Sequence, residues 1–294
     1  MAASAGYFPH GSLWAAGDLP SKFSGLDSIV NTRHNLTQNT SGISTSVIMG
    51  SYRNNYGEIC VYCHTPHGAN DAIAAPLWNR TFKGNTYTTY DSLGTSTLTS
   101  EVHQPGVQSL TCLSCHDGTV ATDSVVNMPG SGKYSAAQKT SQNDSFLNTW
   151  TNESGPDATV HLSMKEGECL ACHSSEAGFL GAGAADFRIA NIGTDLTNDH
   201  PVGIAFPQNR VGKDFVDPDV KSSKLAFYDS NSDGKASKME VRYYSTGSVY
   251  RVECASCHDP HGVPKNGSSG TLIPMFLRVD NTNSSGLCLT CHDI

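Results

Sequence analysis

The sequence predicts a mostly irregular fold, with short helices and few short strands organised around covalently held groups. Three observations favour this prediction. Only 37% of the 294 residues are hydrophobic and 16% are charged. Residues 81–109 and 129–157 are rich in Thr, Ser, Asn and Gly, and such long loops are uncommon in a compact domain without another constraint. All ten cysteines fall into five C-x-x-C pairs, each followed by histidine.

These five motifs predict five c-type haems, because C-x-x-C-H is the attachment signature of this cofactor. One helical turn places both thiols at one porphyrin edge, and the histidine then ligates the iron. The expected attachment residues are Cys60, Cys63, Cys112, Cys115, Cys169, Cys172, Cys254, Cys257, Cys288 and Cys291. The expected proximal ligands are His64, His116, His173, His258 and His292.

Zinc sites, redox dithiols and structural disulfides are the alternatives to haem attachment. Zinc binding would not require histidine at the same offset five times, and a redox dithiol needs only one pair. Haem of this type is attached outside the cytoplasm, so we expect an extracellular or cell-surface protein of a prokaryote, with the periplasm as the alternative. The chain as given shows no basic segment followed by an apolar one, so no signal peptide is recognised.

Charge and hydropathy exclude two classes of partner. The net charge of −8 and the isoelectric point near 5.8 argue against nucleic acid, since no basic patch would neutralise phosphates. No apolar run approaches the roughly 18–20 residues of a membrane span. We therefore expect neither a nucleic-acid partner nor a membrane span.

Seven of the twelve histidines lie outside the motifs, which is enough to give every iron a second imidazole. Closed bis-histidine haems have low potentials and favour electron transfer over catalysis, so no catalytic residues are expected. His103 is the expected spare. The candidate distal ligands are His34, His67, His200, His261, His161 and His10.

His67 and His261 occupy equivalent positions in the related segments CVYCHTPHG (60–68) and CASCHDPHG (254–262). Each follows a proximal histidine by three residues, and the intervening proline ends any helix. Such a histidine cannot easily reach the far face of its own haem, so we expect it to ligate a neighbouring one. The alternative is that this histidine contacts a haem propionate or a residue that ligates the iron. The two segments look like a repeated unit.

Residues 229–240, DSNSDGKASKME, match the calcium-loop pattern D-x-[DN]-x-[DN]-G-x5-E. Ala236 departs from it by replacing a larger aliphatic residue. We expect an EF-hand-like loop without its helix pair; a solvated turn is the alternative. The expected Ca²⁺ ligands are Asp229, Asn231, Asp233, the carbonyl of Lys235, and Glu240.

Short helices are expected at the motifs and at 218–228, and short strands near 240–253 and 272–279. The chain is expected to form one domain, 1–294, in which residues 1–30 are an arm that contacts a neighbouring subunit. A division into two lobes near residue 135 remains an alternative.

The segments RHNL (33–36), PLWNR (76–80) and DHPVG (199–203), with the motifs and the calcium-like loop, resemble extracellular multihaem cytochromes that polymerise into nanowires, of the OmcE kind. The resemblance runs from about residue 30 to the C-terminus. It implies stacked bis-histidine haems, with His34, His67, His200 and His261 as distal ligands. It also implies that a histidine such as His10 can complete a haem of the next subunit. The OmcE pattern has four haems, whereas this chain has five motifs.

The sequence therefore predicts an electron conduit, as the subunit of a homopolymeric filament that passes electrons to other cytochromes or to extracellular acceptors. Two alternatives remain: a monomeric periplasmic shuttle, and a multihaem reductase with one open haem.

Overall fold

The computed structural model describes residues 29–37, 50–128, 130–150, 158–174, 186–265, 271–282 and 284–294. Most of these residues are irregular, which confirms the predicted fold class. The α-helices of the described part all contain C-x-x-C-H residues, and the motif at 60–64 instead begins in a 3-10 helix, Ile59–Tyr62. The helices are α1 (Val107–His116), α2 (Cys169–Cys172), α3 (Cys254–Cys257) and α4 (Gly286–Cys291).

A four-stranded antiparallel sheet follows the chain order β1-β2-β3-β4. Its strands are β1 (Val220–Lys221), β2 (Leu225–Phe227), β3 (Arg242–Thr246) and β4 (Val249–Arg251). The pairing of Leu225 with Tyr244 and of Tyr244 with Arg251 sets the register. Between β3 and β4 only two residues remain, and Gly247 adopts φ +70 there, as two-residue hairpins require. The strands predicted near 240–253 are confirmed.

Two predicted elements are wrong. Residues 218–228 form the β1–β2 hairpin instead of a helix, because the Ser222 hydroxyl accepts the N–H of Leu225 and closes a turn. Residues 272–279 do not form a regular strand. Pro274 lacks an N–H donor and Met275 adopts φ 58, so this segment is a 3-10 helix, Pro274–Phe276, flanked by isolated bridges.

The protein core of the described residues is divided into small hydrophobic clusters. The first surrounds Tyr62 and Val125, the second lies under the sheet around Tyr243, and the third surrounds Leu113. Each cluster includes or borders a C-x-x-C-H residue. This division agrees with the expectation that porphyrins supply part of the apolar interior.

Among the described residues, no helix combines the length and the apolar character needed to cross a membrane.

Candidate haem sites

We number the haem sites 1 to 5 in chain order, for the motifs at 60–64, 112–116, 169–173, 254–258 and 288–292. At site 1 the N–H of His64 donates to the carbonyl of Cys60 at 2.8 Å, and the same bond recurs at sites 3, 4 and 5 at 2.9, 3.1 and 2.9 Å. This single turn places both thiols and the imidazole on one side of the chain. All ten cysteines are free thiols, as haem attachment requires.

Residues 76–79 hold the proximal histidine of site 1. The Nδ1 of His64 donates to the carbonyl of Pro76 at 3.0 Å, and this tautomer leaves the Nε2 lone pair available to a metal. Three backbone contacts complete the clamp: Thr65 N–H to the Leu77 carbonyl (2.9 Å), the His64–Trp78 bridge, and Asn79 N–H to the Cys63 carbonyl (2.9 Å).

Residues 275–278 hold site 4 by the same contacts. The Nδ1 of His258 donates to the carbonyl of Met275 at 2.8 Å. The backbone contacts are Asp259 N–H to the Phe276 carbonyl (2.8 Å), the His258–Leu277 bridge, and Arg278 N–H to the Cys257 carbonyl (2.7 Å). Sites 1 and 4 are therefore copies of one structural unit, which supports the interpretation of the two segments as a repeat.

Sites 2 and 5 use related contacts. His116 donates from Nδ1 to the carbonyl of Ala190 at 2.6 Å. At site 5, Phe215 forms a bridge with His292, and Val216 N–H donates to the carbonyl of Cys291 at 3.0 Å. At site 3 the N–H of Phe187 donates to the carbonyl of His173 at 2.8 Å, so backbone segments from elsewhere in the chain contact all five proximal histidines.

The structure brings His261 opposite the proximal histidine of site 1. The ring centres of His64 and His261 are 6.3 Å apart and their planes differ by 11°. Metal–imidazole bonds are about 2 Å long, so two imidazoles that share one metal have ring centres about 6 Å apart. The Nδ1 of His261 donates to Asp259 Oδ1 at 3.0 Å. This pair therefore fits the axial positions of one haem iron.

His34 lies opposite the proximal histidine of site 2 in the same way. The ring centres of His34 and His116 are 6.0 Å apart, with planes at 67°. The Nδ1 of His34 donates to the carbonyl of Pro260 at 2.8 Å, and its ring stacks on Phe276 at 4.2 Å. This distal ligand is thus held by the segment that also carries His261.

His200 lies near the proximal histidine of site 5. Burial lowers the pKa of His200, and the neighbouring His292 lowers it further. Burial is also the main cause of the lowered pKa of His34, His64, His116 and His258. A lowered pKa keeps the imidazole neutral, and the neutral form is the one that binds a metal.

His161 differs from these histidines. Its Nδ1 contacts Asp123 Oδ2 at 2.7 Å and its Nε2 contacts Asn148 Oδ1 at 3.1 Å, so both ring nitrogens are in use. Burial lowers its pKa, but the hydrogen bond and charge of Asp123 outweigh burial and raise the pKa overall. In this arrangement neither ring nitrogen is directed at a proximal histidine, and the assignment of His161 as a distal ligand stays a prediction.

The remaining candidates are not brought to an iron position. The side chain of His67 is exposed, although its carbonyl accepts hydrogen bonds from Thr65 and Asn127. His103 forms an ion pair with Glu101 at 2.7 Å. His173 of site 3 stacks on Phe187 at 4.1 Å. His10 lies outside the described residues, as does most of the 1–30 arm.

Arg80 joins sites 1 and 2, and sequence reasoning missed this role. Its side chain is fully buried. The guanidinium donates to the carbonyls of Ser114, Ala121 and Thr122 at 3.0, 2.9 and 2.7 Å. The sequence places Arg80 in the PLWNR segment, directly after the clamp of site 1. Its carbonyl partners could be identified only from the fold.

Cysteines of different sites are neighbours. Burial, together with the nearby Cys115 of site 2, raises the pKa of the Cys63 thiol to about 12. Burial, together with Cys291 of site 5, likewise raises the pKa of Cys257 to about 12. The thiols of each pair therefore lie within range of electrostatic interaction.

The calcium-like loop closes on itself through its own acids. Asp229 Oδ2 accepts the N–H of Gly234 at 2.8 Å, and Gly234 adopts φ +71. Glu240 is buried and its carboxylate accepts the N–H of Ser230 and of Ser237 at 3.0 and 2.8 Å. Among the described residues, no three His, Cys, Asp or Glu side chains form a group that could hold a metal ion. In this arrangement Asp229, Asp233 and Glu240 do not form a group that could hold Ca²⁺. The carbonyl of Lys235 and the side chain of Asn231 therefore have no such group to join.

Comparison with known proteins supports the haem interpretation for the end of the chain. Residues 248–294 match the family described as doubled CXXCH motif, which covers sites 4 and 5. No curated protein is significantly similar to this chain. With sites 1, 2 and 3 repeating the same motif and turn, the chain is a multihaem c-type cytochrome.

Proposed function

We propose that this cytochrome is the subunit of an extracellular filament that conducts electrons through five bis-histidine haems. The observation that carries the proposal is that the segment of one site reaches the proximal histidines of two others. His261 of the site 4 segment lies opposite His64 of site 1 at 6.3 Å, and His34, bonded to Pro260 of the same segment, lies opposite His116 of site 2 at 6.0 Å. Haems held by segments that interlock in this way would lie close enough for electrons to pass between them. A single electron carrier has no need of such linked sites.

A bound c-type haem supplies an iron that alternates between the ferric and ferrous states. The chain supplies orientation: the clamps at 76–79 and 275–278 fix the tautomer of the proximal imidazoles. The pairs His64–His261 and His116–His34 would each hold one haem iron between two imidazoles, and an iron held in this way would have no position for a substrate. We accordingly assign no catalytic residues.

The filament part of the proposal rests on two histidines. Among the described residues His67 has no ring contact with a proximal histidine, and the sequence places His10 in the 1–30 arm. In the resembling nanowire subunits, a histidine of one subunit completes a haem of the next. His67 and His10 are the candidates for this role, and their partner is a second copy of this chain.

Electron microscopy of the purified holoprotein tests the polymer. Filaments in the wild type, lost in the His10→Ala or His67→Ala variant, are the expected result. Isolated particles at high concentration would instead favour the periplasmic shuttle. Ferric spectroscopy of the same sample tests the enzyme alternative, because a five-coordinate high-spin haem in the assembled wild type would indicate an open iron.

We propose separately that Ca²⁺ binds the 229–240 loop through Asp229, Asn231, Asp233, the Lys235 carbonyl and Glu240. The sequence pattern and the Asp229–Gly234 bond support it, although Glu240 must exchange its backbone partners for the ion. Added Ca²⁺ is expected to raise the melting temperature of the wild type and not that of Asp229→Ala. Asp217→Ala, which removes an exposed ion-pair partner of Lys221, is the control. An equal response of all three proteins would contradict the site.

A further inference from the structure

Helices α1 and α3 carry sites 2 and 4, and they pack against each other although site 3 lies between them in the sequence. Cys112 lies in α1, and the N–H of Cys254 at the beginning of α3 donates to the hydroxyl of Ser109, one turn before Cys112, at 2.8 Å. Each of these cysteines would carry one thioether of its haem. The two attachment segments are therefore joined by direct contacts between their helices.

A buried carboxylate fastens the two helices together. Glu253 is 2% exposed, and its Oε2 accepts the Ser109 hydroxyl at 2.5 Å and the Gly106 N–H at 3.0 Å. Gly106 and Ser109 lie at the beginning of α1. The Ser109 oxygen in turn accepts the N–H of Cys254 at 2.8 Å. One acid thus accepts the N–H of Gly106 and the hydroxyl of Ser109 at the beginning of α1 while its own backbone leads into α3.

The fit around this carboxylate is close. A Cβ at Gly106 would lie 2.6 Å from Glu253 Oε1 and 3.1 Å from its Cδ. The φ of Gly106 is −78, a value that alanine adopts without strain. An alanine here would therefore displace the carboxylate of Glu253 from α1 without straining the backbone.

Site 3 offers a matched contrast. Glu168 also directly precedes a haem cysteine, but it accepts the N–H and hydroxyl of Ser163, five residues away, at 2.6 and 2.7 Å. It therefore holds its own loop. The charged groups that shift the pKa of the Cys169 thiol, Glu168, Arg53 and Asp123, belong to no other haem motif.

We infer that the haems of sites 2 and 4 form a direct electron-transfer junction that bypasses site 3, and that Glu253 is the positioning residue of this junction. The inference rests on the proposed electron-conduit function and names a step within it. Site 1 adjoins both partners of this junction, because its His64 lies opposite His261 of the site 4 segment and Arg80, directly after its clamp, donates to the Ser114 carbonyl of site 2. The electron path therefore runs through sites 1, 2 and 4. The haem of site 3 is attached beside this path.

Circular dichroism in the Soret region tests the role of Glu253, because nearby porphyrins couple through their transition dipoles. Glu253→Ala and Gly106→Ala are expected to reduce the amplitude of the coupled signal, while Glu253→Gln, which keeps the shape and an acceptor, restores most of it. Glu168→Ala is the control and should leave the amplitude unchanged. Mass spectrometry verifies five attached haems in each variant, and Gly106→Ala carries the test if Glu253→Ala does not mature.

An unchanged signal in fully loaded Glu253→Ala and Gly106→Ala, or an equal loss in Glu168→Ala, would overturn the role of Glu253. A cryo-EM map of the wild type tests the junction itself. It should show a shorter edge-to-edge distance between the haems of sites 2 and 4 than from either to site 3. A site 3 haem lying between them would contradict the junction. Both readouts work on single subunits, so a failure of the filament proposal is distinguishable from a failure of this one.

Discussion

Sites 1 and 4 are built from nearly the same nine residues, CVYCHTPHG and CASCHDPHG, yet their second histidines end in different places. Both second histidines are exposed, but among the described residues only His261 has its ring opposite a proximal imidazole, that of His64, at 6.3 Å. The motif and its clamp are the same at both sites. The comparison shows that haem attachment depends on residues within the motif. The placement of a second histidine opposite a proximal one depends on residues outside the motif.

The residue after the proximal histidine accounts for much of this difference. At site 4 it is Asp259, whose Oδ1 accepts both the N–H and the Nδ1–H of His261 at 3.0 Å. Burial alone would raise the pKa of Asp259, but the bonds from His261 and the charge of Arg278 lower it to about 2. At site 1 the equivalent residue is Thr65, which is uncharged and donates to the carbonyl of His67 at 2.9 Å. The ring of His261 is thereby oriented, whereas at His67 only the backbone is held.

The largest expected effect comes from exchanging each second histidine for alanine. His261→Ala removes the sixth ligand of the site 1 iron, so one of the five haems should become high-spin in the ferric state. His67→Ala should leave the spin states of a single, unassembled subunit unchanged. Electron paramagnetic resonance of the oxidised proteins measures this difference. Equal high-spin signals from both variants would show that the two histidines are equivalent after all.

The second prediction concerns the buried guanidinium of Arg80, which joins site 1 to site 2. Arg80→Met leaves the carbonyls of Ser114, Ala121 and Thr122 without their donor. Each unsatisfied buried group costs about 1–3 kcal/mol, so the free energy of unfolding should fall by about 3–5 kcal/mol. Denaturant unfolding followed by far-ultraviolet circular dichroism gives this value. Arg210→Met is the control, since an ion pair as exposed as Arg210–Asp214 contributes about 0–1 kcal/mol.

The third prediction compares His161 with the histidines that lie opposite a proximal imidazole. Its pKa is raised in the folded protein by Asp123, so its stabilising effect is complete below the unfolded pKa of about 6.5 and is lost as pH rises through the folded pKa. His161→Gln should therefore lower the free energy of unfolding by about 3 kcal/mol near pH 6, and by less near pH 9. Haem spin states should not change. A pH-independent loss, or a new high-spin haem, would argue that His161 is a ligand.

The smallest effect concerns Asp259 itself. Asp259→Thr makes site 4 resemble site 1 and removes the acceptor of His261, which should lower the free energy of unfolding by about 1–3 kcal/mol. Part of the site 1 haem should become high-spin at elevated temperature, as measured by optical spectroscopy. The reverse change, Thr65→Asp, should not by itself fix the orientation of the His67 ring, because the Asp259 carboxylate is held in turn by Arg278. A His67 ring oriented in Thr65→Asp as the His261 ring is in the wild type would refute this dependence.

Sequence alone was sufficient for the parts of this protein that are chemically local. Haem attachment needs two thiols and an imidazole within one helical turn, so five motifs in the sequence predict five sites, the irregular fold around them and their role in electron transfer. The repeated unit at 60–68 and 254–262 was also visible there, because its residues are adjacent in the chain. The failed predictions at 218–228 and 272–279 were decided by a serine-closed turn and by left-handed residues after Pro274, which periodicity does not reveal.

Only the tertiary structure decided which histidine faces which iron, and in which order the sites meet. His34 reaches site 2 by bonding to Pro260, 226 residues away, and His161, a plausible ligand in sequence, is bound on both nitrogens by Asp123 and Asn148. Glu253 resembles Glu168 in its place before a haem cysteine, yet it bonds to a helix 144 residues away. Such pairings depend on which segments pack together, and packing brings distant residues into contact without leaving a trace in their sequence spacing.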